Sequence, residues 1–253
     1  FSLTITVTDG EANATQAINV NVTDDPADNP IDLTTGLVAY YPFDGNASDM
    51  SGNGHHGTVY GATSVTGKYG GALNFSNNYV DIGSFGGYSD QVSVSAWFKS
   101  SANASWNDIL AGPCNKDILF ALKHGAASFG AQCDSPLAQL NSPLTFNDDV
   151  WHLAVGTYDG QTQSIYVDAT LQSNRVTSGV FVPGSKAIGS RSPGESGNSE
   201  YFQGSIDEVR IYDRALSAVE VAALYQLENT SPNQPPVFAE SNATFTTAEN
   251  NAS

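Results

Sequence analysis

The densest group of oxygen-bearing residues lies between Asp44 and Asn53, in the run Asp-Gly-Asn-Ala-Ser-Asp-Met-Ser-Gly-Asn. Its glycines do not suit a regular helix or strand, and they allow backbone carbonyls to turn toward neighbouring carboxylates. Hard oxygen ligands of this kind suit Ca²⁺, which takes about six to eight of them. The run lacks the terminal Glu of an EF-hand loop. A calcium loop and a plain turn rich in Asp and Asn therefore both stay open.

A second candidate site surrounds Trp106, which lies in a polar stretch without a strand pattern. An aromatic ring beside a few fixed polar groups is the usual composition of a sugar site. The alternative is that Trp106 packs beneath its own loop. Tyr88, Tyr201 and Arg191 lie in other long loops and are weaker candidates. The predicted ligand-binding set is Trp106, Asn107, Asp108, Asn115, Lys116 and Asp117.

The two cysteines, Cys114 and Cys133, flank a predicted hairpin with strands near 117–123 and 127–132. They fall almost opposite each other, and a disulfide between them would stabilise the fold by about 3 kcal/mol. Two reduced core thiols are the alternative. Zinc is not expected, because neither a second cysteine pair nor clustered histidines accompany them.

The composition excludes several classes of partner. The net charge is −17, from 26 acidic and 9 basic residues, so nucleic acid and anionic membranes would be repelled. No apolar stretch reaches the length of a membrane span. No Gly-rich phosphate loop, Ser-His-Asp set or Cys-His pair is evident, so we expect no catalysis. The acidic excess favours solubility and agrees with calcium binding.

The elements that would position these residues are short strands separated by turns rich in Gly and Asn. Trp97 and Trp151 lie on strand patterns and are predicted to be core. One helix is predicted after the capping box Ser217 to Glu220. The predicted strands are 36–43, 71–75, 79–82, 92–99, 107–111, 117–123, 127–132, 151–158, 163–167, 186–189 and 205–212.

Both ends of the chain have a different character. Residues 3–8 and 17–22 alternate as a hairpin would, and a lone strand pattern follows a linker rich in Pro and Asn near the C-terminus. Because the first residues already read as a strand, we expect a piece of a longer protein. These ends resemble fragments of cadherin-like repeats, and they can also pair with each other as one split domain. The predicted organisation is 1–30 repeat end, 31–229 main domain and 230–253 linker and next repeat.

An ordered series of motifs covers nearly all of residues 33–228: Leu37 to Asn46, Gly70 to Phe75, Val92 to Lys99, Trp151 to Val155 and Gly204 to Ser217. In this order they resemble the laminin G-like, concanavalin A-like jelly roll of bacterial surface proteins and carbohydrate-active enzymes. The resemblance implies an all-β fold, a two-sheet antiparallel sandwich with one short C-terminal helix. It also implies one structural calcium ion in the Asp44 loop. The implied ligands are Asp44, Asp49 and Asp207, with Asn46 or Asn53 helping.

The sequence thus predicts a calcium-stabilised module that binds carbohydrate or another cell-surface ligand. We expect it to be a monomeric unit within an extracellular adhesin. Two alternatives are a spacer between other domains and an accessory domain of a carbohydrate-active enzyme, because fold alone does not specify function.

Overall fold

The protein's computed structural model describes residues 3–8, 13–18, 31–114, 117–131, 137–191 and 200–229. The chain divides into two compact units, Phe1–Thr35 and Gly36–Ser253. Within the described residues, no helix combines the length and the apolar character required to cross a membrane. The predicted repeat fragment and linker at 230–253 lie outside the described residues.

The regular elements follow one another in chain order as seventeen strands and one helix. They are β1 Leu3–Thr8, β2 Asn13–Ile18, β3 Leu37–Tyr41, β4 Thr58–Tyr60, β5 Thr63–Thr66, β6 Gly71–Ser76, β7 Tyr79–Ser84, β8 Val92–Lys99, β9 Asn107–Ala111, β10 Ile118–Lys123, β11 Ala126–Ala131, β12 Leu140–Thr145, β13 His152–Tyr158, β14 Thr162–Val167, β15 Thr170–Val176, β16 Ser185–Ile188, β17 Gln203–Tyr212 and α1 Ala218–Asn229.

The first unit contains an antiparallel hairpin of β1 and β2, in which Thr8 pairs with Asn13. The prediction of a hairpin is confirmed, but its second strand was wrong by four residues. The pairing leaves only four residues between the strands, beginning with Asp9 and Gly10, a combination that favours a short connection. The alternating pattern continues past the strand, which is why it misled the prediction.

The second unit is a sandwich of two antiparallel sheets, as predicted. One sheet has seven strands in the order β12-β11-β10-β9-β16-β7-β4. The other has eight, in the order β15-β14-β13-β8-β17-β6-β5, with β3 also paired to β17. Alternate residues of each strand point into one core between the sheets. The residues between them point away from the core, so each sheet has one outer face. We call them the seven-strand outer face and the eight-strand outer face.

The positions of two tryptophans correct the prediction. Trp97 is buried, but it points away from Val94 and Phe98, which enter the core. Its ring stacks on Tyr225 of α1 at 5.6 Å, so the helix covers it and the core does not. Trp151 precedes β13 and is only partly buried. Period-two alternation explains both results, because residues of the same parity share one face of a strand.

The helix begins as the sequence predicts. The Ser217 backbone N–H donates to the Glu220 carboxylate at 2.7 Å, and the Glu220 backbone N–H donates to Ser217 Oγ at 3.3 Å. This reciprocal capping box satisfies two otherwise unpaired donors. Val221 and Leu224 are buried, which fixes the helix to the rest of the unit.

Strand β17 changes its neighbour near its midpoint. Ile206 pairs with Leu73 of β6, whereas Val209 pairs with Tyr41 of β3. The register against β8 shifts between Asp207 and Arg210, and Glu208 adopts a positive φ of 53°. This irregularity is a β-bulge, a feature that re-aims side chains. It sets the direction of the Asp207 and Glu208 carboxylates.

Candidate functional site

Asp207 is a fully buried carboxylate at the bulge of β17. Its Oδ2 accepts a hydrogen bond from the Tyr69 backbone N–H at 3.1 Å, while its Oδ1 has no hydrogen-bond partner within the described residues. Burial raises the pKa of Asp207 to about 7, and the neighbouring Glu208 carboxylate adds to the rise. An ionised Asp207 therefore requires a compensating cation.

Asp44 approaches the same turn from the other side. Its Oδ1 accepts the Gly71 N–H at 2.6 Å, and the turn is closed by a hydrogen bond from Gly67 N to Gly70 O at 3.0 Å. A Cβ at Gly67 would lie 2.5 Å from Asp207 Oδ2 and 2.3 Å from the Gly71 carbonyl oxygen. Asp207 and the Gly71 carbonyl thus bring two oxygens to Gly67, while Asp44 Oδ1 would lie 2.2 Å from a Cβ at Gly70 in the same turn. The arrangement suits a hard cation held by two carboxylates and by backbone carbonyls.

Asp49 has a different role within the described structure. Its oxygens accept backbone N–H groups of Tyr40, Ser51 and His55 at 2.9–3.0 Å. Burial opposes ionisation of Asp49, but these hydrogen bonds outweigh it and lower its pKa. Asp49 thus ties its own loop to β3.

The two predicted asparagine ligands also make local hydrogen bonds. Asn46 Oδ1 accepts the Ser48 N–H at 2.8 Å, and Asn53 Nδ2 donates to the Leu37 and Val38 carbonyls at 2.9 and 3.0 Å. Of the five predicted metal ligands, the structure brings Asp44 and Asp207 to one turn. Across the described residues, no group of three or more His, Cys, Asp or Glu side chains is spaced to hold a metal. A cation here would therefore also need carbonyl oxygens.

Trp106 lies on the seven-strand outer face. Its partly buried ring packs against Ala111, Leu119 and Ala121, and Lys123 Nζ lies 4.8 Å from the ring centroid. The ring therefore rests on a floor of small and apolar side chains, with the Lys123 ammonium over the ring. An aromatic ring beside polar groups is one component of a sugar site.

Asp108 and Ser128 lie on this face with unsatisfied polar atoms. Both residues are fully buried, and neither Asp108 oxygen nor Ser128 Oγ has a hydrogen-bond partner in the described part of the chain. Asp108 pairs with Ala121 on one side and Ser128 pairs with Ala121 on the other. The two polar groups thus flank one small side chain, about 10 Å apart across three strands. Buried polar groups in proteins are ordinarily hydrogen-bonded, so ordered water or a ligand would have to supply the partners of this pair.

The charge around Asp108 comes from two neighbours at the rim. Burial raises the pKa of Asp108 well above its ordinary value; Glu200 raises it further, whereas Arg191 lowers it. Arg191 Nη1 lies 3.0 Å from Glu200 Oε2, and Arg191 Nη2 lies 3.3 Å from Cys114 Sγ. Arg191 and Glu200 are partly exposed, so they border the face where a ligand would enter.

Aromatic rings extend the same face toward its other edge. Tyr60 and Tyr79 stack at 4.8 Å, and Tyr60 is 48% exposed. A backbone β-bridge joins Tyr201 to Asp108. Burial raises the pKa of Tyr79, and the neighbouring Tyr60, Asp81 and Tyr201 add to the rise. Sequence reasoning missed Ser128, Tyr60 and Tyr79. A single serine or tyrosine within a strand gives no sign in the sequence of which residues lie beside it on neighbouring strands. Only the strand register brings them together.

The remaining predicted residues have other positions. Asn107 enters the opposite side of β9, where its Oδ1 accepts the Gln203 N–H at 2.7 Å. Asn115, Lys116 and Cys133 lie outside the described residues, so the disulfide prediction is untested. Asp117 is fully buried; its oxygens accept Tyr88 Oη and Gly184 N–H, both at 2.8 Å, and Lys186 Nζ lies 3.6 Å away. Its oxygens are therefore already occupied.

Comparison with solved structures shows the same fold elsewhere. Domain 4 of AbnA, a GH43 extracellular arabinanase from Geobacillus stearothermophilus in complex with arabinotriose, has a TM-score of 0.60 and 22% identity, over 75% of this chain and 98% of that one. The binding domain of Paraclostridial Mosquitocidal Protein 1 has a TM-score of 0.64 and 17% identity, over 77% and 52%. The botulinum neurotoxin serotype D binding domain has a TM-score of 0.57 and 14% identity, over 76% and 52%. This chain spans about half the length of both toxin domains.

No curated protein matches the chain. The Laminin_G_3 family model, which describes the concanavalin A-like lectin/glucanases superfamily, matches residues 74–222. The matched region contains β8, β9, β13 and β17, which form the centre of the sandwich. The chain therefore belongs to the concanavalin A-like lectin/glucanases superfamily.

Proposed function

We propose that this domain is a carbohydrate-binding module that holds its ligand on the seven-strand outer face. The observation that carries the proposal is the pair of buried polar groups, Asp108 and Ser128, which lie on the face of the Trp106 ring and have no hydrogen-bond partners among the described residues. Leaving such groups unpaired costs free energy, about 1–3 kcal/mol each. A ligand that supplies the missing hydrogen bonds recovers this cost.

Sugar rings match this combination of groups. Their hydroxyls both donate and accept, so they can satisfy Asp108 and Ser128, and their C–H faces pack on an aromatic ring such as Trp106. Ala111 and Ala121 are small and form an apolar floor beside the Trp106 ring. Arg191 and Glu200 at the rim supply further groups for orientation. We expect binding without hydrolysis.

The similar structures support this assignment by analogy. One of them was solved with arabinotriose, and others are toxin binding domains. The net charge of −17 disfavours anionic glycans, because like charges repel at long range. We therefore propose neutral saccharides as the ligand class.

The proposal includes one structural calcium ion at the turn of residues 67–71. Asp44 and Asp207 would hold it together with backbone carbonyls, and the ion would neutralise the buried Asp207 carboxylate. Its role would be to fix the bulge of β17 against the turn. Asp49 would organise the adjoining loop through its hydrogen bonds.

We further propose an extracellular setting and a disulfide between Cys114 and Cys133. The pairing of Ile118 with Ala131 supports the disulfide, because the two cysteines follow outward from that pair. Such a bond would restrain the segment beside Arg191 at the rim of the site. Intact mass measured before and after reduction tests it: a gain of about 2 Da supports the bond, and no change contradicts it.

A glycan array of neutral and anionic saccharides tests the function. We expect selective binding to neutral saccharides and weaker binding in the presence of a calcium chelator. No binding to any saccharide at high protein concentration would contradict the proposal and favour a spacer role. Preference for sulfated or uronic acid glycans would contradict the ligand class.

A further inference from the structure

The eight-strand outer face contains a cavity, separate from Trp106. Its volume is about 290 Å³, at the lower end of the range for ligand pockets. The lining includes the half-buried Trp151 ring and the Asn74, Ser205, Lys99 and Asp149 side chains. The cavity thus combines an aromatic wall with an amide, a hydroxyl and two charged groups.

Gly204 in the cavity lining lies where β17 closely approaches β8. Its φ is +139°, and a Cβ there would lie 2.2 Å from the Lys99 carbonyl oxygen. The close approach of β17 to β8 at this point requires glycine. Beside it, Asn74 Nδ2 donates to Ser205 Oγ at 3.1 Å, which fixes the amide in one orientation.

The wall that carries Trp151 is held in place by the loop before it. The Asp149 N–H donates to the Ser100 carbonyl at 3.1 Å, and the Val150 N–H donates to Asp148 Oδ1 at 3.1 Å. The His152 ring joins Asp148 at 3.1 Å to Asp168 at 2.7 Å. These contacts fix the backbone on both sides of Trp151. A preorganised wall lowers the entropy cost of binding.

The charged groups in the cavity are available to a ligand. Lys99 Nζ lies 3.9 Å from Asp149 Oδ2, and the two side chains are 38% and 66% exposed. So loose and exposed a pair stabilises the fold very little. Its charges cancel, so the cavity does not favour an anionic or a cationic ligand. An ammonium and a carboxylate at this spacing can instead bind neighbouring hydroxyl groups.

We propose that this cavity is a second saccharide site, which takes one neutral sugar unit stacked on Trp151. Its hydroxyls reach Lys99, Asp149 and the Asn74 amide. The site lies on the opposite side of the sandwich from Trp106. The proposal of this site does not depend on binding at the seven-strand outer face. Two such sites would let one module bind two chains of a polysaccharide.

The test uses the three tryptophans of the chain, Trp97, Trp106 and Trp151, as reporters. Their indole N–H signals are followed by NMR while arabinotriose, xylotriose, cellotriose and maltotriose are added in turn, with calcium held constant. We expect the Trp151 signal to shift saturably with at least one trisaccharide, also in the Trp106→Ala variant. The Trp97 signal, which is buried beneath Tyr225, serves as the stationary control.

The Trp151→Ala and Asn74→Ala variants should each weaken binding in the Trp106→Ala background, the former by about tenfold or more. Asn74→Ala keeps the test decisive if Trp151→Ala does not fold. A Trp151 signal that stays still with all four saccharides would overturn the second site. If the Trp106 signal shifts meanwhile, the proposed function survives; if neither shifts, both fail.

Discussion

At the scale of single residues, three buried aspartates show how neighbours decide the state of a carboxylate. Asp49 accepts three backbone N–H groups, and its pKa is lowered despite burial. Asp207 accepts the Tyr69 backbone N–H at Oδ2, its Oδ1 has no partner within the described residues, and burial raises its pKa to about 7. Neither oxygen of Asp108 has a hydrogen-bond partner in the described part of the chain, and burial raises its pKa well above the ordinary value. The sequence shows three similar aspartates, whereas only the fold reveals which ones need a partner.

Asp207 should make stability depend on both pH and calcium. Without calcium, the free energy of unfolding should fall as pH rises from 3.8 to about 7, because the unfolded chain releases this proton first. The loss is on the order of 4 kcal/mol. Calcium should therefore raise Tm more above pH 7 than below pH 5. Thermal melts of the wild type and Asp207→Asn check this, with the exposed Asp90→Asn as control; an equal calcium response in all three contradicts it.

We expect the Ser128 hydroxyl, which the proposed function assigns to ligand binding, to lower the free energy of unfolding. Ser128→Ala removes an unpaired buried hydroxyl, so it should raise the free energy of unfolding by about 1 kcal/mol. Ser142→Ala is the matched control, since Ser142 Oγ bonds to Leu144 O at 2.6 Å and Ala127 N at 2.9 Å. That control should lose about 1 kcal/mol. Denaturant melts measure both, and a destabilised Ser128→Ala would argue against an unpaired hydroxyl.

His152 should also make stability depend on pH. Its hydrogen bond to Asp168 raises its pKa, against the effect of burial. The stabilisation is fully present below pH 6.5, the ordinary value for histidine, and is lost as pH rises through the raised pKa. Melts of His152→Gln should lack this decline above pH 6.5. A decline of the same size in the variant would mean that another group causes it.

At the scale of elements, the central strands and the helix could be predicted, whereas the sheet edges could not. β8, β9, β13 and β17 bury most of their residues, so long apolar patterns identify them. The missed strands β4, β5, β12 and β15 are the four edges of the two sheets. Edge strands expose most of their side chains and carry polar residues, which removes the apolar pattern. The site was missed in part for the same reason, because Tyr60 lies on the edge strand β4.

The helix cap gives a prediction at this scale. Ser217→Ala should cost about 1 kcal/mol, since the Glu220 N–H loses its acceptor. For a domain of this size that lowers Tm by about 2–4 °C. Ser217→Thr keeps the hydroxyl and should stay near the wild type. Calorimetry checks both variants, and equal Tm loss in Ala and Thr would show that the hydroxyl is not the stabilising group.

At the scale of the whole molecule, the sandwich presents two outer faces that the core keeps apart. One bears Trp106, Asp108 and Ser128, and the other bears the Trp151 cavity and the turn that approaches Asp207. The net charge of −17 favours neutral ligands over anionic ones. The order of motifs along the sequence was sufficient to predict this architecture, because each motif contains a strand of the eight-stranded sheet. The register that aligns Asp108 with Ser128 was not predictable, since it depends on pairing between distant strands.

Isothermal titration of the best saccharide from the array tests the central claim most directly. It is performed in the Trp151→Ala background, so that only the seven-strand outer face can bind. We predict a saturable one-site isotherm that weakens by about tenfold or more in Asp108→Ala and stays unchanged in the exposed control Asp90→Ala. Equal affinity in all three proteins would contradict the account, because the ligand would then bind without the unpaired carboxyl of Asp108.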